Sequence, residues 1–229
     1  MQINFSTSKA LSDACTILNS NWVAYILIYL AYSIVSGAIS HAGMPALPVN
    51  AIGGDPMLLY KSMLSSPAFL GASFASLVVS CLFLPGIVNI CLKGIDGKKV
   101  DFNGLLMPMG TFINGAITAF LFVVITTIGT CLCILPGIFL GVRLCLALNY
   151  AVYCEMTPVE AIKASWNDTA GNFWHLLGAD ILLFLTSFAG WLLCCIGMFY
   201  TAPLASIAFC VIARTFSNAN GHSAQQQSF

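Results

Sequence analysis

Residues 112–153 read FINGAITAFLFVVITTIGTCLCILPGIFLGVRLCLALNYAVY, an apolar run whose single charged side chain is Arg143. A membrane-spanning helix needs about 20 apolar residues, so this run is too long for one tilted helix. Pro136 and Gly137 interrupt it, and proline suits the start of a helix while glycine tolerates a turn. The run therefore predicts two membrane spans joined by a tight hairpin.

The rest of the chain has the same character, with long apolar runs separated by a few charges. Only 7% of its 229 residues are charged and 59% are hydrophobic, and the mean hydropathy is +0.92. A soluble domain is about one quarter charged. The sequence thus predicts an all-α, polytopic membrane protein whose six spans lie at residues 22–40, 67–92, 112–135, 136–153, 174–195 and 198–216.

The charge balance and the cysteines exclude other classes of protein. The formal net charge is zero, which offers no basic surface, so we expect no nucleic-acid partner. Ten cysteines would suit a small secreted disulfide scaffold, but nine of them lie within or beside apolar runs, where cysteine acts as a small hydrophobe. A disulfide between the outer turns, from Cys131 or Cys133 to Cys194 or Cys195, is left open. The amphipathic first 21 residues predict no cleavable signal peptide.

Lysine and arginine predict the orientation, because cytoplasmic loops hold the excess of positive charge. With six spans, both chain ends share one side of the membrane. Lys61 is the only cation predicted on the opposite side, where a short outer helix is expected to begin at Asp55. We therefore predict a membrane protein with both termini cytoplasmic, on the side of Lys9, Lys93, Lys98, Lys99, Lys163 and Arg214.

A helix start is encoded just before the fifth span. Thr157 is predicted as its N-cap, Pro158 as its first residue, and Glu160 as the third residue of a capping box. The helix that follows is amphipathic and leads into the span, so we expect an elbow helix at the membrane interface. Ala10-Leu11 precede Asn21-Trp22 with the same spacing as Ala161-Ile162 precede Asn172-Phe173.

These similarities predict an internal repeat within a single transmembrane domain, residues 1–216. Leu84-Pro85-Gly86-Ile87 returns as Leu135-Pro136-Gly137-Ile138, and Asp101 is expected to start the middle copy. We predict three hairpins, each entered through an interfacial amphipathic elbow helix. The pseudo-repeats cover about residues 5–95, 100–154 and 157–216, and residues 217–229, rich in Asn, Ser and Gln, are predicted to form a disordered tail.

The later half of the chain carries a resemblance, clearest over residues 134–216. Its pattern comprises Leu135-Pro136-Gly137-Ile138, Arg143, Glu155, the run EAIKASW at 160–166, the run GNFW at 171–174, Gly190-Trp191 and Gly197. This pattern resembles uncharacterised bacterial six-helix membrane proteins related to the membrane domain of glycerophosphodiester phosphodiesterases. The resemblance implies an all-helical inner-membrane fold without an assigned activity. Phosphodiesterase activity is not implied, because the chain carries no such catalytic domain.

Arg143 and Asp180 are the two charged side chains expected well inside spans. A charge at the centre of a bilayer costs at least about 2.5–3.5 kcal/mol, so it usually has a partner. We predict that the two form a polar pair, and leave open whether the pair is structural or a substrate or proton site. Gly137 and Gly141 form a small-xxx-small pattern that predicts close helix packing.

Nothing in the sequence points to catalysis. No Ser, His and Asp grouping, nucleotide-binding glycine loop or metal-ligand spacing is visible, so we predict a non-enzymatic protein without a cofactor or metal. A membrane scaffold or partner-binding subunit is the first prediction, and a small-solute or lipid transporter with a site near Arg143 and Asp180 is the alternative. The expected partners are membrane lipids and either a membrane protein or a second copy of the chain.

Overall fold

The computed structural model describes residues 6–44, 65–192 and 197–222, and all regular structure in these ranges is helical. This confirms the predicted all-α class. The outer helix predicted from Asp55 and the residues Cys194 and Cys195 lie outside the described ranges. The helices are α1 (Thr7–Ser20), α2 (Trp22–Ala42), α3 (Pro67–Ile95), α4 (Met109–Leu132), α5 (Ile134–Leu144), α6 (Ala147–Tyr153), α7 (Pro158–Thr169), α8 (Phe173–Leu192) and α9 (Met198–Ala219), with one 3-10 turn at Phe102–Leu105.

Within the described ranges, six segments are long and apolar enough to cross a membrane, as predicted. Five are single helices, α2, α3, α4, α8 and α9. The fourth span, Ile134–Tyr153, is built from α5 and α6, which a turn at Cys145-Leu146 separates. Within each pair, α2 with α3, α4 with α5 and α8 with α9, the two helices pack against each other. The spans therefore form three hairpins.

The hairpin of α4 and α5 turns three residues earlier than the sequence suggested. Cys133 has extended backbone (φ −165°, ψ 154°) and joins the two helices, while Pro136 and Gly137 already belong to the first turn of α5. Proline is tolerated there because the first amides of a helix have no partner within the helix. The expectation that the chain breaks at Pro136-Gly137 is therefore wrong.

The two glycines of α5 have different surroundings. A Cβ added to Gly137 would lie 2.8 Å from the Cα of Thr130 and 2.9 Å from its backbone nitrogen, so only glycine lets α5 approach α4 this closely. Nothing lies within 4 Å of a Cβ added to Gly141. The prediction that Gly141 is a packing position is wrong, because no atom of a neighbouring helix comes within 4 Å of a Cβ there.

Elbow helices precede the first and fifth spans. Each buries one face at a spacing of four residues, and α1 packs mainly against α9 while α7 packs against α4, α5 and α6. Tyr200 of α9 donates a hydrogen bond to Oδ1 of Asn19 in α1 at 3.0 Å. The buried residues are Ala10, Ala14 and Leu18 in α1, and Ala161, Ser165 and Thr169 in α7.

The start of α7 is held by its capping box. The Oε2 of Glu160 accepts hydrogen bonds from the backbone N–H of Thr157 at 3.1 Å and from its hydroxyl at 2.8 Å. These bonds stabilise the ionised carboxylate and lower the pKa of Glu160 below its ordinary value. The first turn of α7 is thus fixed by two residues three positions apart.

The middle elbow is shorter than predicted. Only one 3-10 turn, Phe102–Leu105, follows Asp101. Pro108 has φ −50° and ψ 135° and stands immediately before α4, and a residue preceding proline is restricted to extended backbone. A longer helix cannot fit between Asp101 and Pro108, so two of the three predicted elbows are helices of several turns.

The first and last hairpins begin in the same way. Asn21 and Asn172 each stand between an elbow and its span, and their N–H groups donate to the carbonyls of Leu18 at 3.1 Å and Thr169 at 3.2 Å. Asn21 and Asn172 occupy corresponding positions in the register predicted from the sequence. The local geometry agrees with that register, while the threefold repeat itself stays a prediction.

The last helix is central to the fold. It packs against α1, α2, α3, α6 and α8, and it continues to Ala219 with Ser217 buried. The prediction of a disordered tail from Ser217 is therefore wrong at its start. The polar bonds of Ser217 and His222, described below, hold this end of the chain against the protein, and residues 223–229 lie outside the described ranges.

Candidate functional site

A cavity of about 400 Å³ lies among the membrane-spanning helices. Its walls come from α3, α4, α6, α8 and α9, together with the turn at Cys145 that separates α5 from α6. Most of the lining is aliphatic or aromatic. We call this cavity the intramembrane pocket; its polar lining residues are Asn149, Asp180, Ser187 and Ser206, and its thiols are Cys91, Cys145 and Cys210.

Asp180 places a carboxyl group in this pocket. It lies seven residues into α8, about 10 Å along the helix axis from Phe173 at 1.5 Å per residue. Its carboxylate joins neither of the two ion pairs found in the described parts of the chain, which are Arg214–Asp96 and His222–Asp168. An acidic group is thus held among apolar side chains without a basic partner in these ranges.

Asn149 adds a second acceptor to the same pocket. The residue is 4% exposed, and its Oδ1 is buried without a hydrogen-bond partner among the described residues. A buried polar atom left unsatisfied costs about 1–3 kcal/mol. It lies here because the turn at Cys145-Leu146 starts the separate helix α6, which carries Asn149 on a face that lines the pocket. The Oδ1 atom is enclosed by protein, so this unsatisfied acceptor lies within the wall and not on the surface of the cavity.

Ser206, by contrast, already has partners. Its hydroxyl accepts a hydrogen bond from Tyr29 at 2.6 Å and donates one to the carbonyl of Ala202 at 3.1 Å. Tyr29 lies eight residues after Asn21, just as Asp180 lies eight residues after Asn172. Corresponding positions of the first and last hairpins therefore carry a satisfied hydroxyl in one case and a carboxyl without a basic partner in the other.

Arg143 does not pair with Asp180. Both residues are described, no ion pair joins them, and the Nη1 of Arg143 instead donates to the backbone carbonyl of Trp166 at 3.0 Å. The guanidinium lies 5.3 Å from the ring centroid of Phe139 and 4.9 Å from that of Trp166, which are cation–π distances. The predicted pair is wrong because α7 covers this side of α5 and offers the arginine a nearer partner.

The backbone of Arg143 is also bound by α7. Its carbonyl accepts hydrogen bonds from the hydroxyls of Ser165 at 2.8 Å and Thr169 at 3.3 Å. Side chain and backbone together attach the elbow to the fourth span. Arg143 is therefore a clamp for α7 and belongs to the packing rather than to the intramembrane pocket.

Replacing Arg143 with methionine is expected to loosen this clamp. The variant keeps an apolar stem but loses the bond to Trp166 and both ring contacts, so the free energy of unfolding should fall by about 2 kcal/mol. Thermal unfolding in detergent, followed by helical circular dichroism, measures the change. Lys163→Met, on the exposed side of α7, is the control and should remain near the wild type. If the two variants are equally stable, the contacts of Arg143 do not stabilise the packing of α7 on the fourth span.

A polar cluster lies where the fourth span ends. Asp168 Oδ2 accepts a hydrogen bond from the hydroxyl of Tyr150 at 2.8 Å and lies 3.0 Å from Nε2 of His222. Cys154 Sγ lies 3.2 Å from the hydroxyl of Ser217, and the same hydroxyl donates to the carbonyl of His222 at 2.5 Å. We call these five residues the C-terminal latch, because they hold the end of α9 against α6 and α7.

The latch has the residue types of a nucleophilic site but not its geometry. Cys154 contacts the backbone carbonyl of His222, while the imidazole of His222 is turned to Asp168. Burial raises the pKa of the Cys154 thiol, which keeps it neutral and poorly nucleophilic. Within the described ranges there is also no group of three or more His, Cys, Asp or Glu residues that could hold a metal ion.

Comparisons with known proteins identify relatives without a described activity. Uncharacterised proteins of two strains of Mycobacterium tuberculosis and of Mycobacterium bovis are each 27% identical over 223 residues. The matches cover 89% of this chain but 66% of those proteins, so the chain spans slightly less than two thirds of their length. No family model matches the chain, and no solved structure matches it.

The sequence analysis found one of the two unpaired acceptors of the pocket. Asp180 stood out as a charge within a span, but Asn149 was passed over although it is an amide surrounded by apolar residues in a predicted span. Its place within an apolar span could have identified it, because an amide at such a depth needs a hydrogen-bond partner. The pocket itself was not predictable, since its walls come from five helices distant in sequence.

Proposed function

We propose that this multi-pass membrane protein binds an amphiphilic small molecule or lipid in the intramembrane pocket and carries it within or across the inner membrane. The observation that carries the proposal is the pocket itself, about 400 Å³ of mostly apolar wall with Asp180 and Asn149 among its few polar lining residues. Ligand sites of small molecules are typically cavities of about 300–1,000 Å³ with few polar groups. The pocket favours the transporter alternative over a scaffold.

The ligand is proposed to enter from the bilayer. Phe184 lines the pocket and is 68% exposed, so the pocket wall reaches the outer surface of the helical bundle. That surface is apolar, with large exposed side chains such as Leu185 and Phe188 on the same helix. A molecule dissolved in the lipid can reach the pocket there without crossing water.

Charge supports both chain ends on the cytoplasmic side. The ends of α3 and α9 lie together, because Arg214 forms an ion pair with Asp96 just beyond α3. Lys93, Lys98 and Lys99 lie at this same end of α3. Clustered cations at one end of the bundle are typical of the cytoplasmic side of an inner membrane protein. Asp180 would then lie about 10 Å beyond the cytoplasmic start of α8.

A photoreactive lipid-like probe tests the proposal. The full chain is placed in uncharged phosphatidylcholine nanodiscs with dodecanol carrying a diazirine, irradiated, and digested, and the labelled peptides are identified by mass spectrometry. Labelling is expected to saturate with probe concentration on the segments of α6, α8 and α9 that line the pocket. Non-saturating labelling spread over all lipid-facing helices would contradict a pocket site.

A pair of variants separates the pocket from the lipid-facing surface. Ala205→Phe adds a ring to a lining residue of α9 and should abolish the saturable labelling, because the ring occupies the cavity. Ala189→Phe adds the same ring to an exposed position of α8 and should leave labelling unchanged. If both variants label like the wild type, the pocket is not the binding site.

Two further predictions from the sequence, a protein partner and the family resemblance, are part of this proposal, although no contact in the structure supports them. A partner membrane protein or a second copy would pack on the exposed apolar faces, which the surrounding lipid otherwise covers. The resemblance to the membrane domain of glycerophosphodiester phosphodiesterases concerns the arrangement of spans and adds no reaction. The proposed role is therefore binding and movement of a ligand without covalent chemistry.

A further inference from the structure

We propose that the ligand of the intramembrane pocket is a cation, an amphiphilic amine whose ammonium group contacts Asp180. This inference rests on the proposed function and specifies its ligand class. The carboxylate of Asp180 lines the pocket without a basic partner in the described ranges, and a carboxylate accepts hydrogen bonds. A ligand that pairs with it must carry a positive charge and donate hydrogen bonds.

The charge of the pocket has one sign. Among the described residues that line it, none is lysine, arginine or histidine, so Asp180 is the only ionisable group in this lining apart from thiols. Arg143, which the sequence predicted as the partner of Asp180, does not line the pocket and is bound by the carbonyl and ring of Trp166 and by the ring of Phe139. The pocket therefore attracts a positive group and repels a phosphate, sulfate or carboxylate.

Burial increases the preference for a cation. A carboxylate among apolar walls has lost much of its hydration, and a charged group in such a place is compensated by pairing and hydrogen bonding. An ammonium group carries three donors and no acceptor, so it can neutralise the carboxylate of Asp180 and donate hydrogen bonds to it. The apolar remainder of the amine would then contact aliphatic and aromatic walls, such as Leu183 and Phe184.

The position in the first hairpin that corresponds to Asp180 carries a side chain that is hydrogen-bonded within the protein. Tyr29 stands eight residues after Asn21 and is bonded to Ser206, so that side of the pocket is closed by partners within the protein. Asp180, eight residues after Asn172, has no basic partner in the described ranges. Of these two positions, only the one in the last hairpin carries an acid without a basic partner in the described ranges. Asp180 lies on the same helix as Phe184, whose exposed ring faces the bilayer.

Three probes with the same diazirine-bearing dodecyl chain test the sign of the charge. They end in an ammonium, a hydroxyl or a sulfate group, and they are compared in phosphatidylcholine nanodiscs at equal membrane concentrations. We expect the ammonium probe to reach half-saturation of pocket labelling at a concentration at least tenfold lower than the hydroxyl probe. The sulfate probe should label the pocket most weakly.

Two substitutions test whether this order depends on the charge of Asp180. Asp180→Asn keeps the size of the side chain and removes its charge, so the ammonium probe should bind only as well as the hydroxyl probe. Asn149→Leu removes a neutral amide and keeps the charge, so the ammonium probe should still reach half-saturation at a concentration at least tenfold lower than the hydroxyl probe. The comparison of the three probes on the wild type needs neither variant to fold.

The outcomes separate this inference from the proposed function. Equal saturable labelling by the ammonium and hydroxyl probes, with no effect of Asp180→Asn, would overturn the cation and leave the pocket as a binding site. Tightest binding of the sulfate probe would overturn it as well. If none of the three probes labels the pocket saturably, both the inference and the proposed function fail.

Discussion

Replacing Gly137 with valine is expected to open the hairpin of α4 and α5 and to lower the free energy of unfolding by about 3 kcal/mol. The first atom of the new side chain would already lie 2.8 Å from the Cα of Thr130. Backbone atoms cannot turn away as a side chain can, so the helices must separate. Thermal unfolding in detergent, followed by helical circular dichroism, measures the loss.

Gly141→Val is the matched control, because it makes the same change one turn further along α5. Nothing lies within 4 Å of a Cβ at that position, so the free energy of unfolding should change by less than about 0.5 kcal/mol. The two variants share any change in helix propensity, and their difference isolates the contact with α4. Equal losses of stability would mean that the close approach at Gly137 does not hold this hairpin together.

Replacing Asp168 with alanine is expected to open the C-terminal latch. Tyr150 is fully buried and would lose the acceptor of its hydroxyl, and His222 would lose its ion-pair partner. Removing one member of such a network leaves the other members unsatisfied, so we expect a loss of about 3 kcal/mol in the free energy of unfolding. Thermal unfolding in detergent measures this loss.

Alkylation of Cys154 gives a local readout of the same change. In the wild type its thiol is partly buried and bonded to Ser217, so iodoacetamide should modify it slowly. Asp168→Ala should expose the thiol and accelerate its modification, measured peptide by peptide with mass spectrometry. Asp13→Ala, an exposed acid on α1, is the control. Unchanged alkylation at Cys154 would show that the latch does not depend on Asp168.

Local and compositional signals predicted most of the fold. Six spans follow from the length of the apolar runs. A segment in lipid must satisfy its backbone N–H and C=O groups within the protein, and an isolated apolar run does so by forming a helix. The capping box of Thr157 and Glu160 was readable because its two members are three residues apart. The elbow before Asn172 was recognisable for the same reason, as both sides of its junction lie within a dozen residues of sequence.

Contacts between distant segments were less predictable. The prediction for Arg143 and Asp180 compared only their depths in the membrane, and it left out α7, whose backbone carbonyl at Trp166 binds the arginine. The turn of the α4 and α5 hairpin was placed at Pro136 because proline marks the start of a helix only to within one turn. The pocket depends on how five helices meet, which no single stretch of sequence encodes.

The packing of α1 against α9 joins two helices that are far apart in sequence. The bond between Asn19 and Tyr200 links them, so it cannot form until both helices exist. During synthesis the ribosome completes α1 well before α9. The small apolar face of α1 is therefore covered by lipid headgroups or by the insertion machinery until α9 has been synthesised and packs against it.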